Sequence, residues 1–188
     1  MSWLNWDKAK ENADVLHFVQ QMIRLRKRHP ALMRRNFLTG RKMEGKDLAD
    51  ISWHGLEVDQ PPRWDEPSTR ILAFTLAALG KDEADLHAIM NMSDSKHSMQ
   101  LPLIEGTSWC LAVDTAQKSP RDIVEPAEQK ALSKPWYIVE PHSIVVFEST
   151  HQAGTYEGDS VTKRSANFFS KLTGIKLLDQ PATEISTS

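Results

Sequence analysis

RILAFTLAAL (70–79) and DLHAIMNM (85–92) are short, apolar and partly alternating, as a strand with a covered face should be. The same pattern recurs in DISWH (50–54), HSMQLPL (97–103), SWCLAV (108–113), WYIVE (136–140) and HSIVVFE (142–148). Turn-rich stretches such as VDQPPRWDEPS, MSDSK and LIEGT separate them. Short strands at this spacing indicate an antiparallel sandwich or barrel. No gap is long enough for a βαβ crossover. The longest, 114–135, reads mostly as loop with room for one helical turn. Pro102, Pro135 and Pro141 flank or end strands, where a residue without an N–H is tolerated.

Ahead of these strands, ENADVLHFVQQMIRLRKR (11–28) reads as one amphipathic helix. Asn12 is its expected N-cap, and Val15, Phe18, Val19, Met22, Ile23 and Leu25 recur at three- and four-residue spacing. Pro30 restricts His29 and should stop the helix there. Arg24, Arg26, Lys27 and Arg28 complement the dipole in the last turns. So broad an apolar stripe has to pack on something substantial. Before the helix, SWLNWD carries Trp3 and Trp6, an unusual load for a frayed chain end. After Ser149, THQAGTYEGDS reads as a linker, TKRSANFFSKL as a short helix and DQPATEISTS as disordered.

The 188 residues suffice for one ordinary domain with appendages, and 40% hydrophobic residues can furnish its core. Lys and Arg total 23 against 25 Asp and Glu, a net charge of −2, which argues against a dedicated nucleic-acid binder. RLRKRHPALMRR is the one basic run, and it ends an amphipathic helix whose other face is apolar. No nucleic-acid partner is expected from it. No apolar stretch approaches the roughly 20 residues of a membrane helix, and the N-terminus lacks the basic-then-apolar pattern of a signal peptide. A single cysteine, Cys110, excludes an intrachain disulfide and fits a reducing compartment, so a cytoplasmic protein without membrane association is expected. In SWCLAV that cysteine reads as a buried structural thiol.

Sequence motifs for chemistry are sparse. The histidines at 17, 29, 54, 87, 97, 142 and 151 are scattered without HxH or HxxxH spacing, and there is no CxxC, phosphate loop or GxSxG elbow. No metal and no cofactor are expected. Asp7 and Asp50 read as caps or solvated groups. Trp53, Trp109 and Trp136 lie in strand-like segments and are expected in the core. Trp64, in the polar loop PPRWDEPS, is the best candidate for an exposed aromatic platform.

The succession SWLNWD, ENADVLHFVQQMIRLRKRHPAL, FLTGR, ADISWHG, WDEPSTRILAFTL, DLHAIMNM, LPL, AVDTAQKSPRDIVEP and HSIVVF resembles the C-terminal end of glycogen debranching enzymes. These are the isoamylase-type α-1,6-glucosidases of the α-amylase superfamily, and the bacterial and cyanobacterial branch is most similar. The resemblance implies that residues 1–34 are the end of a (β/α)8 barrel, comprising a loop and the last barrel helix. Residues 35–149 would then be the C-terminal antiparallel β-sandwich, and 150–188 a partly disordered tail. On that reading SWLNWD belongs to the middle of a protein.

The family's catalytic Asp, Glu and second Asp sit on earlier barrel strands, so no catalytic residue is assigned. Retaining glycoside hydrolysis needs two carboxyl groups about 5–5.5 Å apart, which a sandwich with one barrel helix cannot supply. The expectation is therefore a non-catalytic C-terminal fragment, inactive alone. A free-standing glucan-binding sandwich is the alternative. Trp3, Trp6 and Trp64 are its candidate carbohydrate contacts, with weak glucan binding at best. The expected partners are the missing barrel part, or a second copy of the chain through the N-terminal helix.

Overall fold

The computed structural model describes residues 5–58 and 60–150. The predicted strand segments all form. Five of them, β1 (Ile51–His54), β2 (Ile71–Leu76), β3 (Leu86–Asn91), β5 (Ser108–Asp114) and β7 (Ser143–Thr150), make one antiparallel sheet in the order β1-β2-β3-β7-β5. The other two, β4 (His97–Gln100) and β6 (Trp136–Val139), pair antiparallel with each other. The chain is a mainly β protein, an antiparallel sandwich preceded by a long helix.

Alternation decides what lies between the layers. Side chains two apart share a face, so Ile71 and Ala73 of β2, Ile89 of β3, and Val145 and Phe147 of β7 point the same way. There they meet Met99, Leu101, Trp109 and Val139 in the principal core. The Trp109 indole is fully enclosed and donates its N–H to the Pro102 carbonyl at 2.7 Å, which meets the need of a buried indole for a partner. Residues 115–135 contribute no helix. They run as an irregular strap held by bridges from Val113 to Ile123 and from Cys110 to Ala131.

On the opposite face of the five-stranded sheet lies the helix, in two pieces. A short α1 (Lys8–Glu11) precedes α2 (Ala13–Arg28), so the helix starts earlier than its apolar periodicity suggests and is broken at Asn12. Asn12 occupies the cap position without capping by its side chain, because its amide turns back and donates to the Lys8 carbonyl at 2.9 Å. Asp7 likewise makes no side-chain cap for α1. The expected stop at His29 holds. His29 adopts an extended backbone before Pro30, and a 3-10 turn, Pro30–Met33, follows.

The apolar stripe of α2 is only half covered. Leu25, with Phe18 and Met22, packs on Ala112, Val113, Ile123 and Val146. Val15, Leu16, Val19 and Ile23 remain exposed. At 3.6 residues per turn, the centres of the two sets lie roughly 110° apart around the helix. Ala31 of the 3-10 turn joins Ile51, Leu76 and Leu86 in a smaller cluster beside them.

Two aromatic expectations need correction. Trp53 is 42% exposed and Trp136 is 51% exposed, so only Trp109 of the three strand tryptophans is a core residue. Both exposed rings sit on strands with one neighbour: β1 is an edge of its sheet, and β6 pairs only with β4. Cys110, by contrast, is buried as expected, and burial, followed by the charge of Glu148, pushes its thiol above the ordinary range. Asp50 is not a solvated group but a buried turn cap. It accepts from the backbone N–H groups of Thr39, Gly40 and Ile51 and from the Thr39 hydroxyl. Gly40 meets this carboxylate at φ +70, a conformation that a side chain would strain. Among the described residues no helix is long and apolar enough to cross a membrane. The linker, short helix and disordered end expected from residue 151 onward lie outside the described residues.

Candidate functional site

Where the helix does not cover it, the outer face of the sheet carries an aromatic corner. The β1–β2 register sets Trp53 opposite Phe74, with ring centroids 5.5 Å apart. The loop from Pro61 to Arg70 then folds Trp64 against Trp53, edge to face, at 5.7 Å and 77°. Local hydrogen bonds hold that loop. Trp64 N–H donates to Pro62 O, Glu66 N–H to Arg63 O, and Thr69 N–H to Glu66 O, at 3.0–3.1 Å, while the Thr69 hydroxyl donates to Arg63 O. Trp64 is 63% exposed, as its polar loop context suggests.

Two depressions flank this loop. One, of about 420 Å³, is apolar along Trp64, Leu72, Met90 and Met92. The other, of about 470 Å³, is polar along Glu57, Gln60, Ser68, Ser93 and His97. Arg63, Glu66, Thr69, Arg70 and Ile71 line both. Glu66 accepts from the Ser68 hydroxyl and from Arg63, and these contacts hold its carboxyl below the usual carboxylate range. Trp53 is the member that sequence reasoning missed. Its strand-like setting concealed that β1 is an edge strand of the sheet, with a neighbour on one side only.

Of the other two tryptophans assigned with Trp64, the one described, Trp6, does not join it. Trp6 precedes α1 and is 76% exposed, and among the described residues it makes no ring contact with Trp53 or Trp64. Trp3 lies outside the described residues.

Three buried carboxylates brace the fold. Glu148 on β7 accepts from Arg28, from His29 at 2.9 Å and from Gln129 at 2.9 Å, which ties α2 and the strap to the sheet. Burial pushes its carboxyl up. The His29 hydrogen bond, the Arg28 charge and the Gln129 bond outweigh that and leave it below the ordinary value. Asp114 accepts from the Tyr137 hydroxyl, and Asp85 from the Ala78 N–H.

His87, Thr75 and His54 form a buried chain. The His54 Nδ1–H donates to the Val58 carbonyl, which leaves Nε2 to accept from the Thr75 hydroxyl at 2.9 Å. Thr75 accepts in turn from His87 Nδ1–H at 3.0 Å. A hydroxyl between two imidazoles has the composition of a nucleophile and its base. Here Thr75 and His87 are 2% and 0% exposed and line neither of these depressions, so the chain of groups is part of the core. Among the described residues no cluster of His, Cys, Asp and Glu could hold a metal ion.

These features define the class: an antiparallel β-sandwich with a helix docked on the outer face of its larger sheet and an aromatic corner beside it. Within that class, the chain belongs to the family described as "Isoamylase 1-3, C-terminal", which matches residues 52–151, more than half of its length. It is also similar to proteins named glycogen operon protein GlgX homolog from Mycobacterium bovis and Mycobacterium tuberculosis, with 37% identity over 54 residues. That alignment takes in 28% of this chain and only 8% of each relative. Among solved structures, a pullulanase type I from Bacillus subtilis, complexed with maltose, matches 77% of this chain and 17% of its own, at 18% identity and TM-score 0.49. A trehalulose synthase from Pseudomonas mesoacidophila matches 71% of this chain and 17% of its own, at 16% identity and TM-score 0.34.

Proposed function

We propose that this chain is a non-catalytic C-terminal part of a cytoplasmic glycogen-debranching α-1,6-glucosidase, one that works by covering and bracing a catalytic barrel. The observation that carries the reading is the two-faced α2. A helix on the surface of a finished domain buries its apolar stripe on one side and shows polar residues on the other. In α2 the Leu25 set is covered by the sandwich, while Val15, Leu16, Val19 and Ile23 await a second layer. In a debranching enzyme that layer would be neighbouring barrel elements, and α2 would stand as the last barrel helix. The hydrolytic carboxylates would come from the barrel. Those buried here at Asp50, Asp85, Asp114 and Glu148 already accept bonds that hold the fold.

Complementation tests this. The chain alone is expected to release no glucose or maltooligosaccharide from a phosphorylase limit dextrin. Added to a debranching enzyme truncated before its last barrel helix, it is expected to restore branch hydrolysis, and Val19→Asp to prevent that. Hydrolysis by the chain alone, or no restoration by a folded chain, would overturn the reading.

A second reading, glucan binding by the sandwich itself, is favoured by the exposed Trp53–Trp64 corner.

A further inference from the structure

We propose that the Trp53–Trp64 corner, with the two depressions that meet along Arg63–Ile71, is a surface site for a linear α-glucan segment, with the Trp64 indole as its stacking face. The choice of a glucose polymer rests on the reading of the chain as part of a glucan-processing enzyme. The choice of a sugar rests on the surface itself.

A pyranose is amphipathic in a specific way: its C–H faces are apolar and its rim is a ring of hydroxyls. It needs a flat aromatic surface beside groups that can both donate and accept. Trp64 supplies the first, with the indole mostly in solvent and held edge to face against Trp53. Because the loop is pinned by its own hydrogen bonds, little side-chain or loop ordering remains to oppose binding. Arg63 and Arg70 supply donors along the shared wall, and Glu66, ionised, supplies a strong acceptor. Beyond that wall, Gln60, Ser93 and His97 continue the polar lining, so a sugar stacked on Trp64 would have hydroxyl partners for its neighbour.

An apolar protein surface is the competing occupant, since Leu72, Met90 and Met92 would suit one. The shared wall decides against it. A dry protein interface would bury a carboxylate and two guanidinium groups at its centre, at a desolvation cost that imperfect pairing does not recover. Sugar hydroxyls hydrogen-bond those groups and leave them in contact with water.

The test uses the full chain with maltoheptaose as probe, following the tryptophan indole N–H signals by NMR. Maltoheptaose at millimolar concentration is expected to shift the Trp64 and Trp53 signals and to leave buried Trp109 unmoved. Trp64→Ala should weaken binding at least tenfold, a loss of about 1.4 kcal/mol. Trp64→Phe should retain part of it, and Trp136→Ala, which removes another exposed indole, should not change it. Unchanged melting of Trp64→Ala would separate lost contact from lost fold. Absence of any indole shift, or equal affinity in Trp64→Ala, would overturn the proposal. Complementation of a truncated barrel is expected to be insensitive to Trp64→Ala, so this site and the barrel-bracing role can fail independently.

Discussion

Glu148 on β7 and His29 at the end of α2 are joined by a 2.9 Å hydrogen bond, although 119 residues separate them in the chain. Both are buried, and Arg28 reaches the same carboxylate oxygen from the last turn of the helix. The helix is thereby fixed to the sandwich by a charged contact as well as by the packing of Leu25.

Removing the carboxylate strands a cation and an imidazole. Glu148→Ala is expected to lower stability by about 3 kcal/mol in urea or guanidinium unfolding, the usual scale for losing one partner of a buried pair. Because the folded carboxyl titrates below its ordinary value of 4.5, the folded state binds fewer protons than the unfolded state around that pH. The contribution is therefore complete above about pH 4.5 and fades as the pH falls through the lower folded value. Glu148→Gln should accordingly cost more at pH 7 than at pH 3. An equal cost at both would show that the carboxylate is not the charged partner assigned to it.

The two faces of α2 predict opposite outcomes for similar substitutions. Leu25 is enclosed between helix and sheet, so Leu25→Ala is expected to cost about 2–5 kcal/mol. Val19→Ala, on the uncovered face, should change the stability of the monomer, measured at a dilution where it does not self-associate, by no more than about 0.5 kcal/mol. Comparable losses in denaturant midpoint would mean that the Val19 face is also buried.

This division of the helix was only half legible in the sequence. The spacing of Val15 to Leu25 marks an apolar arc, and Pro30 marks its end, because both signals are local. Which half of the arc meets the sheet depends on β5, β7 and the strap, residues that lie far along the chain. The strands were legible because alternation is local too. The fates of Trp53, Trp109 and Trp136 were not, since all three occupy strands and only the sheet order says which strand has a covered face. The Glu148–His29 contact carried no sequence signal, being a pair of ordinary residues brought together by the fold. Trp64 could be placed on the surface because its neighbours are prolines, charges and a turn, but its brace, Trp53, required the register of β1.

His87 offers a pH test of the core. Burial, and then the charge of His54, push its imidazole down to about 3, against an ordinary 6.5. Between those values the unfolded chain takes up a proton that the folded chain does not. Stability should therefore decline as the pH drops from about 6.5 towards 3, by at most about 1.4 kcal/mol per unit from this one group. NMR of the ring should find His87 neutral at pH 5. A midpoint near 6.5 would show that the His87–Thr75–His54 chain is open to water.

The uncovered half of α2 makes the last prediction. Val15, Leu16, Val19 and Ile23 are each 47–57% exposed and share one side of a single helix. Contiguous apolar surface of this kind drives association when no partner covers it. In the chain by itself the available partner is a second copy, and two such helices can pack stripe to stripe about a twofold axis, each supplying the same residues to the other. Sedimentation of the purified chain is expected to show a concentration-dependent dimer. Val19→Asp places a charge in the middle of that stripe and should shift the equilibrium to monomer. The sheet contact of α2 should survive, because Leu25 and Glu148 lie on other surfaces, and unchanged hydrogen-exchange protection along α2 would verify that. A wild-type chain that remains monomeric at high concentration would show that the stripe does not self-associate.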